Sequence, residues 1–169
     1  MRLKNIKISN YRCFKEAEID FDDHITLVVG KNGAGKTAIL DAVAVSVSTF
    51  LLGIDGGVSR SILKDDARYE FHDLNGTIDP QHQFPVSIES TGDCLNQQNV
   101  KWIRSLNSES GKTTIKDAGE LTGLAKKAQN QIMTGDKSLV LPLISYYGTG
   151  RLYAPVSYTH LRAHETRGN

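Results

Sequence analysis

The 169-residue sequence is short of the features that would commit it to a special environment. It has only two cysteines, Cys13 and Cys94, and neither has a second thiol or a histidine at metal-ligand spacing. That argues against a disulfide framework or a structural zinc site, and two reduced thiols are expected. Neither sign of charge is in excess: 20 basic residues face 19 acidic ones, for a formal net charge of +1. The whole molecule is therefore no electrostatic attractor for nucleic acid, and any DNA contact must come from a local patch or from chain outside this sequence. No apolar run of bilayer-spanning length is expected. The opening Met1-Arg-Leu-Lys-Asn-Ile6 lacks the apolar core of a signal peptide, so the expectation is a cytoplasmic protein with no membrane partner. No internal repeat is visible. What remains is ordinary globular material, with 39% hydrophobic and 23% charged residues, enough for one domain with a real core.

Hydrophobic periodicity gives the expected elements. Leu3, Ile6 and Ile8, set among Lys4, Lys7 and Ser9, predict a half-buried strand. Ala17, Ile19 and Phe21, alternating with Glu18, Asp20 and Asp22, predict a second, joined to the first as a hairpin through Asn10–Phe14. Ile25-Thr-Leu-Val-Val29 is mostly β-branched with almost no polarity, which predicts a strand covered on both faces. A helix is predicted over Thr37–Leu52, with Ile39, Leu40, Val43, Val47, Phe50 and Leu51 at three- and four-residue spacings and Gly53 as the stop. Between Gly56 and Lys112, short strands at Gly76–Ile78, Pro85–Glu89 and Lys101–Leu106 predict an antiparallel meander. Asp117–Met133 predicts a second helix with Leu121, Leu124, Ala125, Ala128 and Ile132 on one stripe. Leu139–Tyr147 predicts a further apolar strand.

One motif carries chemistry. Gly30-Lys-Asn-Gly-Ala-Gly-Lys-Thr37 satisfies every fixed position of G-x-x-x-x-G-K-[ST], between an apolar strand pattern and a helical one. Gly30, Gly33 and Gly35 let the backbone curl so that successive N–H groups face phosphate oxygens, and the following helix adds its unpaired N-terminal N–H groups. Lys36 supplies a point charge for the β- and γ-phosphates, and Thr37 offers a hydroxyl oxygen to Mg2+. Asn32, Ala34 and Ala38 complete the stretch expected to hold the ligand, ATP with Mg2+. Gly111-Lys112-Thr113 also spells G-K-T, but Leu106 stands where the first glycine belongs and no apolar strand leads in, so a plain loop is expected. Asp73-Leu-Asn-Gly76 spells the D-x-x-G of GTPases, yet no N-K-x-D guanine motif accompanies it. Lys4, Lys7 and Arg12 read first as a solvated strand face, with a DNA or nucleotide contact as the alternative.

Leu3-Lys-Asn-Ile-Lys-Ile-Ser-Asn-Tyr-Arg-Cys-Phe14, a second strand, and then Ile25–Thr37 resemble the opening of SMC/RecF/SbcC-type AAA (ABC-class P-loop) ATPase heads. The likeness is strong over Met1–Leu52 and continues more loosely to Tyr146-Tyr-Gly-Thr-Gly-Arg151. Two strands ahead of the loop also argue against small-molecule kinases. The resemblance implies an α/β P-loop fold with an antiparallel meander beside the nucleotide-binding sheet, ATP hydrolysis, homodimerisation of heads around two ATP molecules, and action on DNA in double-strand break repair or phage defence, with a nuclease as a possible partner. It also matches Arg12 to the arginine of the family's early strand–turn motif, a nucleotide contact, with Arg151 as a second. The rival reading is a nucleotide-gated interaction module in which hydrolysis is incidental.

The departures limit what this chain does alone. No apolar run ends in Asp-Glu as a Walker B segment does, since Ser145-Tyr146 follows Leu139–Ile144. No Leu-Ser-Gly-Gly signature and no coiled-coil heptads appear, so no catalytic residue is identifiable. The expectation is the incomplete N-terminal lobe of an ATPase head over residues 1–154, binding nucleotide but turning it over poorly. Residues 155–169 read as a translated sequencing adapter rather than native chain. His160 and His164, four apart within it, therefore carry no weight as a metal pair.

Overall fold

The computed structural model of the chain describes residues 1–74, 77–136 and 138–148. Arg151, the histidine pair and the 155–169 tail lie outside that range, as do Asn75 and Gly76 of the D-x-x-G stretch.

The N-terminal alternation forms the expected hairpin. β1 (Arg2–Tyr11) pairs antiparallel with β2 (Phe14–Asp20), with Ile6 opposite Ile19 and Ile8 opposite Ala17. Ile6 and Ile8 are fully buried while Lys7 between them is exposed. Leu3 has the opposite parity yet also packs inward. The reason is a register shift between Leu3 and Asn5 where β1 pairs with the strand Val86–Cys94, one extra residue flipping the alternation.

The predicted meander is not a separate unit. β5 (Val86–Cys94) and β6 (Gln97–Leu106) form a hairpin whose β5 pairs antiparallel with β1, giving one four-stranded sheet in the order β2-β1-β5-β6. β3 (Tyr69–Leu74) and β4 (Thr77–His82) make a second, two-stranded sheet. The expected strands do not include β3, although Tyr69-Glu-Phe-His72 alternates before Asp73 breaks the pattern.

α1 (Lys36–Ser48) begins one residue earlier than expected and continues as a 3-10 turn over Thr49–Gly53. The stretch Lys36–Gly53 has 18 residues of mean hydropathy 1.4, so by length and composition it does reach the threshold of a membrane span. That corrects the expectation that no such run exists. Its burial explains the apolarity: Ala38, Ala42 and Val45 share a core with Ile6, Ile8, Val86, Ile88 and Leu106 of the sheet. Two buried polar contacts fix helix against sheet. Ser46 Oγ and Ser90 Oγ lie 2.6 Å apart, and Trp102 Nε1 donates to the Ser46 carbonyl at 3.1 Å.

α2 (Gly119–Met133) closes a second core, burying Leu121 and Ala125 against Phe50, Val100 and Trp102. Leu124 packs at its edge, and Ile132, expected on the same stripe, is 38% exposed. Gly53 ends the 3-10 turn, but its deeper requirement is space: a Cβ there would lie 2.1 Å from the Thr122 carbonyl oxygen of α2.

Two predicted strands are absent. Among the described residues neither 25–29 nor 139–147 forms a strand, and Ile25, Leu27, Val29, Val140 and Leu143 are 77–94% exposed. The physical reason is pairing. An apolar β-branched run becomes a strand only when a neighbouring strand satisfies its N–H and C=O groups, and among the described residues no strand lies alongside either run. The fold is nonetheless of the expected class, helices packed on antiparallel sheets as in a P-loop ATPase head, with these two segments lying outside its strands.

Replacing Gly53 with alanine is expected to destabilise the fold by about 1–3 kcal/mol through overpacking against α2. Chemical denaturation checks this; an unchanged midpoint would contradict the close approach.

Candidate functional site

The loop from Gly30 to Thr37 runs straight into α1. Gly33 and Gly35 adopt φ of 83° and 85°, a region that side chains rarely tolerate. Gly35 is constrained twice, because a Cβ there would lie 2.5 Å from Phe14 Cζ and 2.7 Å from Cys13 Sγ. The β1–β2 turn thus sits directly on the loop. Gly35 also precedes the first residue of α1; no side chain caps that helix and no acidic residue occupies its first turn. Its leading N–H groups and the positive end of its dipole are left for an anion.

Lys36 Nζ donates to the carbonyl oxygens of Gly30 at 2.7 Å and Lys31 at 2.8 Å. The ammonium closes the loop on itself by holding its first residues against the helix start. Ala34 N–H, bonded to the Lys31 carbonyl at 3.2 Å, tightens the same curl. A phosphate oxygen offers full charge where these carbonyls offer dipoles, so the ammonium gains an ion pair when it turns from them to phosphate.

Around the loop lies a cleft of ≈ 450 Å³ lined by Arg12, Cys13, Asn32, Gly33, Gly35, Lys36, Thr37 and Ala38. Of the residues predicted for the ligand, Gly30 and Ala34 stand outside this wall. Ala38 lies both in this wall and in the core, at 4% exposure. Cys13 was missed; its one sequence signal is adjacency to Arg12 in the hairpin turn. A larger cavity of ≈ 530 Å³, bordered by Met1, Leu95 and residues 138–142, has no lysine or arginine in its wall.

Arg12 is held by residues far away in sequence. Asn10 and Arg12 both have left-handed φ, 51° and 50°. The segment around Ala67 holds the turn there: Arg12 N–H donates to the Asp66 carbonyl at 2.7 Å and Arg68 N–H to the Asn10 carbonyl at 2.9 Å. The guanidinium is gripped as well. Its Nε donates to Asp66 Oδ1 at 2.8 Å and its Nη1 lies 2.5 Å from Asp41 Oδ2. Burial works against the Arg12 charge, but these carboxylates outweigh it and strengthen its hold on the proton.

Asp41, on α1 one turn beyond Thr37, is 5% exposed and serves three partners. Besides Arg12 it pairs with Arg60 Nη2 at 3.0 Å and accepts the Tyr146 hydroxyl. The Arg60 guanidinium in turn lies over the Tyr146 ring, 4.8 Å from its centroid. Burial alone would raise the Asp41 carboxyl, but hydrogen bonds from Tyr146 and Arg12, with the charges of Arg12 and Arg60, keep it below its ordinary value. Both carboxylates nearest the cleft are thus committed to guanidinium groups.

Among the described residues no cluster of three histidines, cysteines or carboxylates exists to hold a metal. The donor set does fit Mg2+, which is commonly held by one or two protein oxygens together with substrate phosphates. The exposed Thr37 is the one hydroxyl side chain in the cleft wall.

A protein-family comparison decides the kinship, because the AAA domain model matches residues 5–166. The chain belongs to the AAA domain family. Within that family its relatives are of the SMC/RecF/SbcC type. It is 36% identical over 89 residues to the DNA replication and repair protein RecF of Chlorobium phaeobacteroides, which is 53% of this chain and 23% of that protein. It is 46% identical over 44 residues to the DNA double-strand break repair Rad50 ATPase of Archaeoglobus fulgidus, 26% of this chain and 5% of that one. The matched stretch is thus a small part of each relative. A solved structure from work on ATP-driven dimerization and DNA-stimulated activation of SMC ATPases superposes with a TM-score of 0.47 at 18% identity, covering 74% of this chain and 80% of that one. A likeness that loose leaves the fold to rest on the family match.

The depressed Asp41 carboxyl makes a pH prediction. Its folded value lies below its unfolded one, so the stability it contributes is present above the ordinary carboxylate range, about pH 4, and is lost as pH falls through the folded value. Asp41→Asn is expected to cost about 3–5 kcal/mol at neutral pH, as for a broken buried ion pair, and to flatten the acid limb. Denaturation midpoints at stepped pH check this; an acid limb as steep as the parent's contradicts it.

Proposed function

We propose that this chain is the nucleotide-binding lobe of an ATPase head that acts on DNA in the cytoplasm, in double-strand break repair or phage defence. The observation that carries the reading is the uncapped N-terminus of α1, with Lys36 and Arg12 lining the same cleft. Backbone amides, an ammonium and a guanidinium together suit a polyphosphate. The names of the relatives support DNA repair as the setting.

In this reading the triphosphate lies along residues 33–38. The amides of the loop and first turn receive its oxygens, and Lys36 exchanges the Gly30 and Lys31 carbonyls for phosphate. Arg12, fixed by Asp66 and Asp41, adds a second positive charge from the hairpin turn. Thr37 is the residue that would hold Mg2+, which supplies charge neutralisation between phosphates when bound. Arg151 remains a candidate second contact.

Hydrolysis needs a carboxylate to orient the attacking water. Asp41 and Asp66 are occupied by Arg12 and Arg60, so that group must come from elsewhere in the intact protein or from a second head. The exposed apolar segments 25–29 and 139–147 fit a role as strands of the nucleotide-binding sheet that await neighbours. Dimerisation of heads around ATP, a partner nuclease and the non-native origin of residues 155–169 are further parts of this proposal. The alternative, a nucleotide-gated interaction module, shares the site and differs only in turnover.

The test is titration of the full chain with a fluorescent ATP analogue and Mg2+. Saturable binding is expected, weakened at least about tenfold by Lys36→Ala through loss of charge-assisted bonds, with no turnover above that of the variant. Identical binding by parent and variant would overturn the site. Rapid turnover by the chain alone would overturn the account of the missing carboxylate.

A further inference from the structure

Position 104 breaks the pattern of β6. Val100, Trp102, Arg104 and Leu106 all turn to the core face and all are buried, Arg104 to 2% exposure. Three are apolar and the fourth carries a full positive charge. Its Nε donates to the Thr114 carbonyl at 2.8 Å, and its Nη1 to Thr49 Oγ1 at 3.1 Å and Ser59 Oγ at 3.5 Å. Every one of these acceptors is neutral, and no carboxylate among the described residues pairs with it. Nη2 has no acceptor among the described residues. Buried charges are normally paired in full, and burial here loosens the guanidinium's hold on its proton.

Arg104 forms part of the wall of a cavity of ≈ 350 Å³ with Ser59, Ser61, Gly111, Lys112 and Thr113. The wall contains two cations and no acidic residue. Thr113 Oγ1 is spent on both backbone groups of Ile62, whereas Lys112 is exposed and has no partner among the described residues. The nearby Glu109 is engaged by Lys64 at 3.5 Å. The second G-K-T triplet is thus the loop expected of it, yet it brings a lysine to the mouth of a pocket whose buried arginine lacks a counter-charge. This wall shares no residue with the Gly30–Thr37 cleft.

We propose that this cavity is a second anion site, one that takes a phosphate group. Arg104 Nη2 and Lys112 are its charged donors, and the Ser59 and Ser61 hydroxyls its neutral ones. A purely structural arginine would be a poor solution here, because a buried charge without a counter-charge is costly. The phosphate is either free, as an ion or monoester, or a unit of a nucleic-acid backbone; the same donors serve both.

The full chain carrying Lys36→Ala, which disables the loop, is titrated with inorganic phosphate at constant ionic strength and followed by phosphorus NMR line width. Saturable binding is expected, weakened at least about tenfold by adding Arg104→Met. Lys112→Ala, at an exposed position that leaves the fold intact, is expected to weaken it about two- to fivefold. Competition by a short oligodeoxythymidylate assigns the site to nucleic-acid backbone, and failure to compete assigns it to free phosphate. Absence of saturable binding, or binding that both substitutions leave unchanged, overturns the proposal. Loop occupancy in the chain with Lys36 intact is a separate measurement, so neither result decides the other.

Discussion

A single buried carboxylate organises the architecture around the phosphate loop. Asp41 belongs to α1, yet its partners come from the hairpin turn (Arg12), the stretch that follows the 3-10 turn (Arg60) and the last described stretch (Tyr146). A charge this buried is tolerable only while it is matched. Its presence therefore obliges three distant pieces of chain to converge one helical turn beyond the loop. The loop inherits its surroundings from that convergence, because the same turn that delivers Arg12 also presses Phe14 and Cys13 onto Gly35.

The rest of the fold supports this junction. The sheet provides a flat apolar face on which α1 lies, and the Ser46–Ser90 and Trp102–Ser46 contacts set its position along that face. With α1 fixed, its N-terminus opens toward solvent without a cap, and a ligand's oxygens can take the place of capping groups. Stability and binding thus meet at the helix start: the sheet anchors the body, and the uncapped end is left for an anion.

Much of this was legible in the sequence. The loop could be read because each of its fixed positions has a local physical reason, and the N-terminal hairpin because period-two alternation needs no distant information. The apolar character of Leu3 is legible, but the bulge that brings its parity into line with Ile6 and Ile8 leaves no mark in the sequence. Arg12 was noticed without its holders: Asp66 lies 54 residues away, and no pattern links the two. The apolar runs at 25–29 and 139–147 mark the reverse failure. Their composition announces strand, but a strand is a relation between two chains' worth of hydrogen bonds, and composition says nothing about where the neighbour is.

The central claim is that the amides of the loop and first helical turn are the ligand's seat. Amide hydrogen exchange on the full chain, with and without ATP and Mg2+, addresses it at residue level. The account expects slowed exchange across residues 33–38 and the turn at residues 10–13, and no such slowing when Lys36 is replaced by alanine. Exchange that ATP leaves unchanged in the loop, or that slows equally in the Lys36→Ala protein, would contradict it.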